Sequence, residues 1–121
     1  MKHLPKILLI DDEVDYIRSL TVLLKTKGFD VYSLLSGESA LKTTRSFKPD
    51  VIVLDVRLGI EDGEKICQEI KSDNDIKHVS IILHSAFPDM EDYYKLCGAD
   101  DFIFKPTNID HLVSRINHQL K

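Results

Sequence analysis

Short, nearly continuous apolar runs alternate with longer amphipathic stretches along this chain, and that alternation is the strongest constraint on its fold. Five runs read as strands: Lys6–Ile10, Asp30–Leu34, Val51–Leu54, Val79–Leu83 and Phe102–Phe104. They are rich in Val, Ile, Leu and Phe, and three are almost wholly apolar, which suits strands covered on both faces. Asp30–Leu34 is more polar, which places it nearer an edge. Between the runs the apolar period changes. Ile17, Leu20 and Leu24 share a helical face, and Gly28 stops it. Ala40 and Leu41 anchor a shorter helix between Gly37 and Pro49, and Ile66 and Ile70 repeat after Gly63. Ile109, Leu112, Val113, Ile116 and Leu120 form the cleanest stripe, with Asn108 as its N-cap. Asp89–Cys97 is the least regular stretch, because Tyr93, Tyr94 and Leu96 do not share one face.

The order is therefore βαβαβαβαβα. Strands alternating with helices imply right-handed crossovers and a parallel sheet with helices on both faces, an α/β doubly wound architecture. The 121 residues suit one domain, residues 1–121, with no repeat and no linker-like segment. Sixteen basic residues against 20 acidic ones leave a net charge of −4, which argues against direct nucleic-acid binding. The longest apolar runs, Ile7–Ile10 and Val51–Leu54, fall far short of the roughly 20 residues of a membrane span. The N-terminal MKHLPKILLID turns acidic too quickly for a secretory signal, so the expected location is the cytoplasm. Cys67 and Cys97 form no CxxC pattern and read as small, semi-buried apolar groups rather than a zinc or redox pair. The five histidines show no metal spacing and read as surface or packing residues.

In such sheets the functional site lies beyond the carboxyl ends of the strands. Asp11, Asp12 and Glu13 follow the first run, Asp55 the third, His84 and Ser85 the fourth, and Lys105 and Pro106 the fifth. Each alone is an ordinary cap or turn residue. Together they bring carboxylates, a hydroxyl and an ammonium to one edge. Clustered carboxylates repel, and a hard divalent cation such as Mg2+ relieves the repulsion while keeping waters and accepting phosphoryl oxygens. An aspartate there can act as a nucleophile and form an aspartyl-phosphate, with metal and lysine neutralising the transferred charge.

With these residues in place, the sequence resembles the receiver domain of bacterial two-component response regulators. The markers are Asp11-Asp12, Asp55 with Asp62-Gly63 downstream, Ser85-Ala86 and Lys105-Pro106, and the resemblance covers essentially the whole chain. It implies a flavodoxin-like five-stranded sheet of order 2-1-3-4-5. It implies that Asp55 is the phosphoacceptor, served by a sensor histidine kinase or a histidine phosphotransfer protein. It makes Asp12 a direct Mg2+ ligand and Asp11 a ligand through water, with Asp55 and the backbone carbonyl of Arg57 completing the protein's set. Lys105 would contact the phosphoryl group, Ser85 would be the switch hydroxyl and Phe102 the aromatic rotamer switch. The output would be an altered surface around the fourth helix, fifth strand and fifth helix, read by an output protein or by a second copy. The implied role is that of a signalling module, not a conventional enzyme, within either a stand-alone regulator or a longer protein.

Several positions depart from the family pattern. Gly59 replaces a common proline, which loosens the loop Arg57–Asp62. Arg57 puts a cation beside the acids, where it would pair with Asp12, Glu61 or the phosphate and alter the dephosphorylation rate, or else point to solvent. Phe87 stands at an often polar position, where it would shield the site from water or pack on a loop. Ser85 to Lys105 is about two residues shorter than is usual, predicting a short or irregular fourth helix. Two alternatives remain at this stage: a pseudo-receiver that is never phosphorylated, and a phosphohydrolase with an aspartate nucleophile. The intact acid pair, Asp55, Ser85 and Lys105 oppose the first. Arg57 at the position of the second acid opposes the other.

Overall fold

The structure, a computed structural model, describes residues 3–58, 61–87 and 94–121. In chain order the elements are β1 (Lys6–Ile10), α1 (Val14–Thr26), β2 (Asp30–Leu34), α2 (Ala40–Phe47), β3 (Val51–Asp55), β4 (Arg57–Leu58), β5 (Glu61–Asp62), α3 (Gly63–Lys71), β6 (Ser80–Ser85), β7 (Asp101–Phe104) and α4 (Ile109–Gln119). The five long strands are parallel in the order β2-β1-β3-β6-β7. With the two-residue antiparallel pair β4·β5 set aside, this is the expected order 2-1-3-4-5. The polar strand β2 is at an edge, as its composition predicts.

Strand alternation divides the apolar residues between two cores. Ile7, Leu9, Val51, Val53, Ile82 and Ile103 face α1 and α4, where they meet Ile17, Leu20, Leu24, Leu112 and Ile116. Leu8, Ile10, Ile52, Leu54, Ile81 and Leu83 face the other way, against α2 and α3 through Ala40, Ile66, Cys67 and Ile70. Each fully buried Leu or Ile contributes about 1.5–3 kcal/mol of burial energy, so both helix layers are needed to cover the sheet. Cys67 and Cys97 are both buried rather than semi-buried as expected, and the Cys67 thiol lies 3.5 Å from the backbone oxygen of Cys97.

Local signals act where expected. Gly28 has φ +95° after α1, a conformation open to glycine. Asn108 Oδ1 accepts from His111 N at 2.8 Å and caps α4. Two strands run further than their apolar runs. β3 includes Asp55 and β6 includes His84 and Ser85, so these polar residues are the last rungs of the sheet rather than the first loop residues. Asp55 pairs with His84 in the ladder, so the sheet runs into the edge where the site lies. Of the irregular Asp89–Cys97 stretch, residues 94–97 form one 3₁₀ turn. The rest of that expectation, and the one for Gly59, lies outside the described residues. The ends of the Arg57–Asp62 segment pair with each other as β4 and β5.

Candidate phosphoryl and metal site

Three strand ends and the first turn of α1 converge on one ammonium group. Lys105 follows β7 with the parity of Ile103, so its side chain turns toward the α1 face. Its Nζ donates to Asp11 Oδ2 at 2.6 Å, to Glu13 Oε1 at 3.2 Å and to Asp55 Oδ2 at 3.2 Å. Three carboxylates thus match its three donors. The side chains of Lys105, Asp11 and Asp55 are only 7–8% exposed. Lys105 is therefore not the solvated lysine that a position before proline suggests; the Lys105–Pro106 peptide itself is cis.

Burial raises the pKa of Asp55 to about 6; the Lys105 charge and the backbone N–H of Arg57 oppose the rise, and the Asp11 charge adds to it. At neutral pH Asp55 is still mainly a carboxylate, the form a nucleophile needs. Burial would lower the pKa of Lys105, but the hydrogen bond to Asp11 and the charges of Asp55 and Asp11 outweigh it and hold the ammonium above its ordinary value.

The acidic side of the site is built by backbone hydrogen bonds. Asp11 Oδ1 accepts from Glu13 N at 2.9 Å, and Asp55 Oδ1 accepts from Arg57 N at 3.2 Å. Each aspartate is thereby aimed by the turn that follows its strand. Asp11, Asp12 and Asp55 each bring a carboxylate oxygen within 4.8 Å of the others. Three converging oxygen donors, two of them buried, fit a hard divalent cation such as Mg2+ and suit no soft metal. Gly63 fixes the depth of this cluster. Its N–H donates to Val56 O at 2.8 Å, and a Cβ there would stand 2.1 Å from the backbone oxygen of Asp55. Only glycine lets the start of α3 come this close to the strand end that carries Asp55.

Ser85 ends β6 at the same edge, buried, with Oγ accepting from Phe87 N at 3.0 Å. Phe102 is half-buried in β7 between Tyr94 and an edge-on Phe104, whose centroid is 5.2 Å away. Arg57 corrects an expectation. Its guanidinium pairs with neither Asp12 nor Glu61; it lies 4.1 Å over the ring of Phe87. Glu61 is already engaged, accepting from Gly37 N at 3.0 Å. Two residues singled out separately as departures therefore form one stack. Its members start two residues beyond Asp55 and two beyond Ser85, and they meet across the ends of β3 and β6.

Sequence reasoning missed Tyr16 and His84 as a unit. His84 is buried, and its Nε2 lies 3.1 Å from the Tyr16 hydroxyl. The Lys105 ammonium lies 4.9 Å from the centroid of the Tyr16 ring. The available signal was a histidine inside a strand too apolar to leave it exposed.

Comparison with known proteins agrees with this fold. The family model described as response regulator receiver domain matches residues 7–117. "Probable transcriptional regulator ycf27" of Porphyridium aerugineum is 38% identical over 118 residues, covering 96% of this chain and 48% of that protein. The chain spans about half the length of the curated relatives it matches. A solved response regulator from Chloroflexus aurantiacus J-10-fl superposes with a TM-score of 0.91 at 26% identity, covering 98% of each chain. The signal receiver domain of a signal transduction histidine kinase from Syntrophus aciditrophicus does so with a TM-score of 0.85 at 30% identity, covering 96% of this chain and 89% of that one.

Proposed function

The chain belongs to the response regulator receiver domain family, and from that premise we propose that Asp55 is the group it phosphorylates. The observation that carries this reading is the setting of the Asp55 carboxylate: ionised at neutral pH, 3.2 Å from the Lys105 ammonium and grouped with Asp11 and Asp12. An Asp55 oxygen attacks the phosphorus of a phosphohistidine. The new O–P bond forms as the N–P bond breaks, and the electron pair returns to the departing imidazole, which takes up a proton. Lys105 and the Arg57 N–H offset charge at the carboxylate as it becomes an acyl phosphate. Asp11, Asp12 and Asp55, with the backbone carbonyl of Arg57, would hold the magnesium ion, which supplies charge neutralisation for the phosphoryl oxygens when bound.

A sensor histidine kinase or a histidine phosphotransfer protein is the donor in this reading. Ser85 and Phe102 relay the added charge to the face formed by the turn at residues 94–97, β7 and α4, where an output protein or a second copy would bind. The domain is a signalling module of the cytoplasm, spanning residues 1–121. No helix among the described residues is long and apolar enough to cross a membrane.

Acetyl phosphate with Mg2+ tests the assignment. The intact protein should gain the mass of one phosphoryl group, and Asp55→Ala should gain none. Label surviving in Asp55→Ala would overturn the site. An unlabelled wild type would favour a pseudo-receiver, and rapid turnover of phosphate esters a hydrolase.

The Arg57–Phe87 stack is read as a cover over the acyl phosphate, limiting approach of water from the β3–β6 side. Phe87→Ser and Arg57→Asn should each shorten the phosphate lifetime about threefold, the scale of an exposed cation–π contact. Unchanged decay rates in both variants would dispose of this role.

A further inference from the structure

Lys105 must stay at the phosphoryl site while its carboxylate partners are drawn to other tasks. On the reading above, Asp55 becomes esterified and Asp11 serves the metal. Glu13 is the remaining partner, and its side chain is 62% exposed. A surface carboxylate of that kind positions a cation weakly.

The other contact of Lys105 is an aromatic face. Tyr16 lies in the first turn of α1, and Lys105 Nζ stands over its ring at 4.9 Å. The ring is anchored through its hydroxyl. His84 has the parity of Ile82 in β6 and so faces α1, where its Nε2 meets the Tyr16 hydroxyl at 3.1 Å, with ring centroids 5.5 Å apart. The protonation states set the direction of this bond. Burial lowers the pKa of His84 to about 3, and burial raises that of Tyr16 to about 12. A neutral imidazole and an un-ionised phenol leave the Tyr16 O–H donating and His84 Nε2 accepting. In the β6·β7 ladder His84 also pairs with Ile103, two residues before Lys105. His84 thus ties the strand that delivers Lys105 to the ring beneath its ammonium.

We infer that Tyr16 and His84 are positioning residues that hold the Lys105 ammonium over Asp55, with the Tyr16 ring as the support and His84 as its anchor. This inference rests on the assignment of Asp55 and Lys105 to phosphoryl transfer. Neither residue needs to touch the phosphoryl group. A cation held on a ring face keeps its donors free for new oxygens, which a carboxylate partner does not allow.

Two measurements on the folded protein test this, one of which requires no phosphorylation. A methylene group above an aromatic face is shifted upfield by the ring current. With isotope-labelled lysine, the signal of the Lys105 ε-methylene, assigned by its loss in Lys105→Met, should lie upfield of the other lysines. It should return toward them in Tyr16→Leu and move part of the way in His84→Leu. In the kinetic arm, Tyr16→Leu and His84→Leu should each lower the acetyl phosphate rate about threefold to tenfold, the range of a partly desolvated cation–π contact. Tyr16→Phe, which keeps the ring and loses its anchor, should match His84→Leu. In the Lys105→Met background neither change should lower the rate further, whereas a merely structural role would act in both backgrounds. A Lys105 signal indifferent to both substitutions, or full additivity with Lys105→Met, would overturn the inference. If the wild-type protein takes no phosphate, the assignment of Asp55 fails, while the spectrum still decides whether the ring holds the lysine.

Discussion

Replacing Lys105 with methionine should destabilise the metal-free protein by about 3 kcal/mol at neutral pH, the cost of removing one partner from a buried charge cluster. Methionine keeps the length and apolar stem of the lysine, so packing changes little. What changes is that Asp11 and Asp55, each under one-tenth exposed at the side chain, lose their shared cation. The deficit has a pH signature. Asp55 titrates in the folded state at about 6, above its ordinary 3.8, because burial disfavours its charge. A group raised in this way contributes stability that is complete below its unfolded value and is lost as pH rises through its folded value. Without Lys105 the folded value moves higher still, so the variant should recover toward the wild type as pH falls below 7. Magnesium should also rescue it. Lys105 competes with a cation for the same carboxylates, so a given Mg2+ concentration should raise the stability of Lys105→Met more than that of the wild type. Urea melts of both proteins, with chelator and with Mg2+, measure this. Equal midpoints in chelator would show that the carboxylates do not depend on Lys105.

The contacts of Lys105 also mark where sequence reasoning reaches its limit. The fold was legible because the central strands β1, β3 and β6 carry two apolar sets of opposite parity, and only a sheet covered on both faces buries both. Asp11, Asp12, Asp55 and Lys105 were legible because strand ends of a parallel sheet fall at one edge whatever the details of register. The pairing of Tyr16 with His84 was not, since it joins residues 68 apart and needs the actual register of β6 against β3 and the placing of α1 on that face. Arg57 failed for a related reason. Its sequence neighbours offered Asp12 and Glu61, but the guanidinium lies over the face of Phe87, 30 positions away, which only the meeting of the β3 and β6 ends brings near. Charge alone predicts attraction; the placing of the strand ends decides who meets.

The buried histidine in that arrangement should dominate the acid sensitivity of the fold. His84 is 1% exposed, and burial, followed by the nearby charge of Lys105, lowers its pKa from 6.5 to about 3. The unfolded chain therefore binds a proton that the folded chain refuses, and stability falls as pH drops below the unfolded value. The loss grows by about 1.4 kcal/mol per pH unit between the two values, so it reaches about 2 kcal/mol at pH 5 relative to pH 7.5. At pH 5 its size depends on the unfolded value alone, because the folded value lies well below. Asp55 works in the opposite direction over the same range, since its raised value adds stability on acidification. The net slope of the wild type is thus a partial cancellation, and the informative quantity is its difference from His84→Leu. Leucine matches the volume of the imidazole and suits a strand whose centre, Ile81 to Leu83, is apolar. In chelator, the stability gap between the two proteins should shift in favour of the variant by about 2 kcal/mol between pH 7.5 and 5. The variant should lose the acid-side decline while keeping the gain from Asp55. Parallel stability curves would mean that His84 takes up its proton in the folded state as readily as in the unfolded one, and that the buried neutral imidazole described here does not exist in solution.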